Sequence, residues 1–408
     1  MNNIKWPLLY LIFFLILLSS SVYGQEPIHN AFEIRTITAG VNVTKDSYAE
    51  VLKETMDFLE RSKNIMEAEG FRVQGTRIIT QPHLYYLKSL SVEESTSIIK
   101  KMKEITKGCL FSIGPGIVDD IHDSQAIEKI VNAEAETFAT IVIGNKQTGI
   151  HYSAIKACAE TIKRLSEVDP IRNFYFAGIA NVPSEVPFFP GGYHNRSYNS
   201  FTIGTEGASL FVKVCGEVAS IKDAKKALYE SYEREMKSVE EVALKIEKET
   251  GWKFEGIDTT PAQWGDKSIG KAVEELIGAP FGTPGTLTAC SIMTDVIKGI
   301  DVKKAGYQGL FLPPMEDNIL GKRAFDYYGL DSLLSYSAVS GTGIDAVAVP
   351  GDITVYELEK ILLDVASMAV KLDKPLTGRI IPLPGKKAGD LADFSDFGLS
   401  PMKVLRVR

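Results

Sequence analysis

Cysteine is scarce in this chain, and its four residues, Cys109, Cys158, Cys215 and Cys290, stand far apart with no C-x-x-C pair among them. That spacing excludes a compact zinc knuckle and a thioredoxin-like redox motif. Histidine is nearly as rare, with five residues in 408. No G-x-S-x-G elbow is present and no glycine-rich loop runs into Lys-Ser/Thr, so neither an α/β-hydrolase nucleophile nor a P-loop can be read here. Low-complexity tracts, Ser/Gly/Pro-rich linkers and solenoid repeats are also missing, and a single domain over residues 25–408 is the expectation. There is no basic surplus: 45 Lys and Arg face 52 Asp and Glu for a net charge of -7, which lacks the electrostatic footprint of a nucleic-acid binder. Finally, no apolar run approaches the roughly 20 residues of a membrane-spanning helix.

The nearest approach to one lies at the N-terminus. Lys5 precedes an apolar run from Trp6 to Leu18, followed by Ser19-Ser20-Ser21 and Val22-Tyr23-Gly24. One positive charge, a short hydrophobic stretch and small residues before Gln25 fit a secretory signal over residues 1–24. The expectation is export to the periplasm or outside the cell. An uncleaved anchor over residues 6–23 is the alternative, and it would be the chain's only membrane contact. Export would permit two disulfides among the four cysteines, with three connectivities. Their apolar surroundings, as in Gly108-Cys109-Leu110-Phe111, equally suit buried free thiols.

Beyond the leader, strand-like and helix-like segments alternate. Ten β-rich runs begin near Phe32, Arg72, Leu110, Thr140, Asn173, Ser200, Trp252, Gly309, Ala346 and Gly378, and amphipathic helices separate most of them. The longest helix is expected from Ile221 to Thr250, closed by Gly251. Such alternation predicts an α/β fold whose sheet is covered by helices or closed as a barrel with helices outside.

Gly/Pro/Asp turns close many of these runs: Phe188-Phe189-Pro190-Gly191-Gly192-Tyr193-His194, Phe281-Gly282-Thr283-Pro284-Gly285-Thr286, Leu312-Pro313-Pro314-Met315-Glu316-Asp317, Val349-Pro350-Gly351-Asp352, Ile381-Pro382-Leu383-Pro384-Gly385 and Ala388-Gly389-Asp390. Together with Ile34-Arg35-Thr36-Ile37-Thr38-Ala39-Gly40, Arg77-Ile78-Ile79-Thr80, Gly309-Leu310-Phe311 and Gly343-Ile344-Asp345, they resemble, in order, the family called domain of unknown function 711, also labelled pyruvate formate-lyase-like. The resemblance covers nearly all of the chain after the leader. It implies a ten-stranded α/β barrel similar to that of glycyl-radical enzymes, and it implies no particular activity. Glycyl-radical chemistry itself is not expected, because the C-terminal Phe397-Gly398-Leu399-Ser400-Pro401 lacks the Arg-x-x-Gly-aromatic loop of those enzymes. Lys304-Ala305-Gly306-Tyr307, the nearest imitation, lies well inside the chain.

Several residues could carry chemistry at the strand ends. Arg35 and Arg379 interrupt apolar strands, and a buried guanidinium demands an anion, either a neighbouring carboxylate or a substrate. The Gly282, Thr283, Gly285, Thr286 turn would open a helix and present amides to an anion, unless it is only a capped helix entry. Glu316, Asp317 and Asp345 could move protons together with His194, which sits on a glycine-rich loop. Asp345, Asp352 and Asp390 could instead converge on a divalent cation, Mg²⁺ or Ca²⁺, or each could cap a helix or turn. The reading that combines these is an enzyme acting on a small anionic molecule at the barrel's strand ends; the alternative is a non-catalytic exported binding or structural protein. Self-association into a homo-oligomer stays open. If the leader is removed, mass spectrometry of native material will find an N-terminus at or near Gln25, whereas intact Met1 in the membrane fraction would mark an anchor.

Overall fold

A computed structural model describes residues 31–116, 121–134 and 136–407. The expected leader, residues 1–24, lies outside the described residues. Among those residues no helix is long and apolar enough to cross a membrane.

The chain opens with β1 (Glu33–Val41), α1 (Tyr48–Ala68), β2 (Thr76–Thr80), the single turn α2 (Leu84–Leu87), α3 (Val92–Ile105), β3 (Leu110–Gly116), α4 (Ile121–Ala133) and β4 (Thr137–Asn145). The short β5 (Gly149–Ile150) folds back on β4, and α5 (Tyr152–Val168) leads through a 3-10 turn, Pro170–Tyr175, into β6 (Phe176–Ala180). Next come β7 (Ser200–Glu206), α6 (Ala208–Glu217), α7 (Ile221–Thr250), β8 (Lys253–Pro261), α8 (Ile269–Ile277) and α9 (Thr286–Gly299). A 3-10 turn at Pro314–Glu316 precedes α10 (Asn318–Arg323) and α11 (Leu330–Tyr336), and β9 (Gly343–Pro350), α12 (Val355–Leu372) and β10 (Leu376–Leu383) follow.

These strands form one sheet in the order β8-β7-β1-β2-β3-β4-β6-β10-β9, with β5 beside β4. Strands β1, β2, β3, β4 and β6 run parallel, each linked to the next through a helical crossover. At either flank the direction reverses: β7 and β8 are antiparallel to β1, and β10 and β9 antiparallel to β6. The fold is thus a mixed α/β structure, as the alternation predicts, and its hydrogen-bonded path ends at β8 and β9.

Local chemistry explains most boundaries. Ser91 and Glu94 form a capping box at α3, as do Thr354 and Glu357 at α12. In α7 the buried residues Ala224, Leu228, Tyr232 and Met236 recur every fourth position, and Gly251 ends the helix in a left-handed conformation. The run Gly309–Leu312, expected as a strand, is irregular. Gly309 passes so close to Gly341 that a β-carbon on Gly309 would stand 2.4 Å from the Gly341 Cα, nearer than the 4.7–4.9 Å of neighbouring strands in a ladder. The stretch 303–310 nevertheless bonds to β8 and to the turn that precedes β9. Ile257 on β8 donates to the Lys303 carbonyl and accepts from the Ala305 amide, while the Gly341 amide donates to Leu310.

One side of the sheet carries the main apolar core under the helices, including Ile34, Ile37, Ala39 and Val41 of β1. The other side is occupied by a long insert, residues 181–199, between β6 and β7. Its Pro187 carbonyl accepts from Thr38 on β1 (3.1 Å) and from Arg77 on β2 (3.2 Å), and its Gly192 carbonyl accepts from Ser112 on β3 (2.9 Å). Val186 and Phe188 of the insert pack with Ala262, Tyr307 and Phe311 as a second, small apolar cluster. Phe188 is the anchor, set edge-on to Phe311 and against Gly204 of β7. Phe188→Ala is expected to lower the unfolding free energy by about 3–5 kcal/mol, measured by denaturant titration.

Candidate functional site

Two of the strand arginines sit where the ladder loses register. Arg35 is the extra residue of β1 between Ile34 and Thr36, opposite β7, and Arg379 lies at the shift between Gly378 and Ile380, opposite β9. Bulges re-aim side chains: Arg35 is turned out of its own strand, whereas opposite Arg379 the extra residue belongs to β9, at Asp345 and Ala346. A third arginine, Arg77, stands in register with Thr38. Each is held over an aromatic face: Arg35 on Trp264 (4.8 Å), Arg379 on Phe174 (4.6 Å), and Arg77 near Phe188 and Phe189 (5.9 and 5.1 Å).

The three differ in their partners. Arg379 donates from Nε to Asp345 (2.7 Å) and from an Nη to Glu316 (2.5 Å). Burial works against its charge, but the two carboxylates outweigh it and hold its pKa above the ordinary value. Burial likewise raises the Asp345 carboxyl against the pull of Arg379, with Glu316 adding to the rise. Arg35 reaches only the Gln74 side-chain oxygen (2.7 Å), and Arg77 only the Pro187 carbonyl. Among the described residues no carboxylate approaches either within 4.0 Å; Glu316, Glu206 and Glu33 act on Arg35 from farther off. Burial pulls Arg77 down to about 9, helped by the nearby Arg35 and Arg379, yet its side chain keeps accessible surface. The guanidinium is thus desolvated with no carboxylate in contact, and at neutral pH it remains charged.

The other acids near Arg35 are already committed. Lys267 bridges Glu33 (2.8 Å) and Glu206 (2.5 Å), and the Gln74 amide donates to both (2.7 and 3.3 Å). Burial raises Glu206 despite Lys267, whereas for the more open Glu33 the Lys267 and Gln74 contacts overcome burial and lower it. The charged groups that influence one another here are therefore Arg35, Arg77, Arg379, Glu316, Asp345 and Glu206. Sequence reasoning singles out four of these. It misses Arg77, although an arginine inside Ile78-Ile79 apolar context is the same signal as Arg35, and it misses Glu206, a carboxylate at a strand's end.

The remaining expected residues go elsewhere. His194 is fully buried beside Gly40, five residues along β1 from Arg35, roughly 16 Å at the usual rise. A β-carbon on Gly40 would stand 2.5 Å from its Nδ1. That nitrogen pairs with Glu185 (3.0 Å), and Ser200 donates to the same carboxylate oxygen (2.9 Å). Since serine and acid meet one ring nitrogen, this is not the relay geometry of a hydrolase triad, in which they engage opposite nitrogens. The group clamps the insert to the strands. Asp317 is buried and accepts from Ser268 and from the amides of Gly270, Ile319 and Leu320, which makes it the cap of both α8 and α10. Burial pushes it up to about 6 in spite of those donors.

The Gly282, Thr283, Gly285, Thr286 turn is satisfied internally: the Gly282 amide donates to the Thr286 hydroxyl, and Thr283 to Pro280 through both its amide and its hydroxyl. It belongs to the helical layer, where α9 packs on α7 and α8, and does not join the arginines. Asp352 and Asp390 are exposed, and Asp390 accepts from the Lys387 amide in its own turn. The expected cation cage of Asp345, Asp352 and Asp390 is not assembled, because Asp345 faces Arg379 while the other two close surface turns. No group of three or more His, Cys, Asp or Glu is placed to hold a metal among the described residues. All four cysteines are buried free thiols, and burial raises Cys109, Cys215 and Cys290 to about 12, far from a reactive thiolate.

Residues 28–395 match the family model described as Uncharacterised ACR (DUF711). The UPF0210 protein of Pyrobaculum islandicum is 26% identical over 88% of this chain and 87% of its own length. That of Neisseria gonorrhoeae is 25% identical over 91% of this chain and 90% of its own. These descriptions state no reaction and no ligand.

Asp317→Ala should cost about 2–4 kcal/mol of stability in denaturant titration, since it uncaps two helices and strands a buried serine, while leaving the arginine cluster intact.

Proposed function

Since the chain belongs to the DUF711 family, whose description names no chemistry, its own geometry has to supply the reading, and we propose that this charged cluster borders a hollow that binds a small anionic molecule between Arg35 and Arg77. The observation that carries this is the imbalance of partners. Every carboxylate near the hollow is engaged by Lys267 or Arg379, which leaves two desolvated guanidiniums without an anion in contact. Leaving a buried charge unpaired costs about 3–5 kcal/mol, a cost that a carboxylate or phosphate ligand would offset.

On this reading the molecule is an enzyme, with Glu316 and Asp345 as the proton-transfer pair. They share the Arg379 guanidinium, so a proton on one eases the repulsion felt by the other. The alternative, a binding protein without turnover, uses the same arginines and would survive loss of both carboxyls. A radical mechanism is not part of the proposal: Cys290 is a packed helix residue, and Gly306 turns beside Asp258.

The same reading takes the sheet as closing on itself, with residues 303–310 standing in for a tenth strand between β8 and β9. The bridge from Ile257 to Lys304 is parallel, the Gly341 amide bonds to Leu310, and the Tyr307 hydroxyl reaches Thr377 on β10 at 2.7 Å. Five strands would then run each way around the insert. Closure would shield the arginines from bulk water and strengthen their hold on an anion.

Arg77→Met tests the site, because it removes the charge but keeps the bulk. The variant should be as stable as the wild type or more so without ligand, and should lose the thermal stabilisation given by small dianions such as sulfate, malonate and phosphate. For a ligand at a hundredfold excess over its Kd that stabilisation is about 2.7 kcal/mol. Equal stabilisation of variant and wild type would reject the assignment.

A further inference from the structure

Among the described residues, Glu206 is the carboxylate of this region that has a buried oxygen without a hydrogen-bond partner. The residue is 1% exposed, its Oε2 takes both Lys267 and Gln74, and its buried Oε1 lacks any hydrogen-bond partner. Lys267 must serve Glu33 as well, so two carboxylates share one ammonium. The groups around Glu206 come from four sides: Glu33 and Arg35 from β1, Gln74 from the approach to β2 with Arg72 beyond it on Glu33, Lys267 from the β8–α8 connection, and Tyr232 from α7. Arg35 is tied into this group through Gln74, which accepts from Arg35 and donates to both glutamates.

We propose that anion binding at Arg35 and Arg77 is coupled to uptake of a proton by Glu206, which the Gln74 bridge and the charge of Arg35 link to the site. The inference rests on the anion-site reading and adds a proton to it. An arriving anion draws on Arg35, whose charge now helps to hold Glu206 ionised, and it adds negative charge beside a pair of acids that already exceeds its one lysine. Protonation relieves that excess. It also removes the charge from a carboxylate whose buried Oε1 has no donor to stabilise it. Burial already raises the Glu206 carboxyl above its ordinary value, which is the direction the coupling requires.

The sign of the linkage follows. If the complex favours protonated Glu206, apparent affinity is greatest at low pH. It falls as pH rises from the pKa of the free site to the higher pKa of the complex, by up to about tenfold per pH unit for one proton. Sulfate is a suitable probe because it does not itself titrate above pH 4. Calorimetric titration of the full chain with sulfate, in buffers of different ionisation enthalpy, counts the protons taken up. Up to one proton per sulfate is expected for the wild type, and none for Glu206→Gln, which should still bind sulfate with a pH-independent affinity. Sulfate binding without proton uptake in the wild type would overturn the coupling while leaving the anion site standing. Unchanged uptake in Glu206→Gln would move the proton to another group and overturn the assignment to Glu206. Should sulfate, malonate and phosphate all give no binding, the anion site itself fails and the coupling falls with it.

Discussion

A guanidinium taken out of water must be given an anion or a set of acceptors, and this requirement organises the inner side of the sheet. Arg379 meets it in full, with two carboxylates, a carbonyl and an aromatic face. Arg35 and Arg77 meet it only in part, with one oxygen each and an aromatic support. Around that shortfall the acids are arranged as if to avoid filling it: Glu33 and Glu206 turn to Lys267, Glu316 and Asp345 to Arg379. A packed core would have placed aliphatic side chains at these positions. The strands instead break register at two of the three arginines, which is the kind of local irregularity that proteins retain where a side chain must be aimed.

The insert over residues 181–199 covers the side of β1, β2 and β3 that carries the arginines. Without it the inner side of β1, β2 and β3 would expose hydroxyls and backbone to solvent. With it, Pro187 and Gly192 accept from those strands, and Phe188 builds a small second core with Tyr307 and Phe311. Far along β1, Glu185, His194 and Ser200 hold the loop's other end against Gly40. The insert therefore separates the arginines from the histidine. That is why the buried Glu–His pair, which looks reactive by composition, belongs to the scaffold's cohesion.

Much of the fold was legible because its signals are local. The alternation of β-branched runs and amphipathic helices, the four-residue stripe of Leu228, Tyr232 and Met236, and Gly251 as a helix terminator all depend on nearest neighbours. Arg35 and Arg379 could be picked out for the same reason: each contradicts the apolar strand around it. Arg77 carries an equal contradiction and was passed over, since its strand was read for its family motif and not for its charge. Gly309–Leu312 misled because its composition is that of a strand, while its geometry is set by a glycine thirty-two residues later. Asp317, Asp352 and Asp390 show the reverse limit. An aspartate after a strand reads the same whether it caps a helix, closes a turn or lines a site, and only the donors that reach it tell these apart.

What the amino-acid sequence determined by itself was the succession of elements and the presence of charge inside apolar strands, because backbone propensity and side-chain periodicity act over a few residues. Tertiary structure decided everything that depends on who meets whom. It brought Lys267 to Glu206 across sixty-one positions and Arg379 to Glu316 across sixty-three, and it kept His194 away from both. Whether a buried charge is neutralised or left seeking an anion is a property of such long-range pairings, and Coulomb energies in a desolvated interior are fixed by distances that the order of residues does not contain.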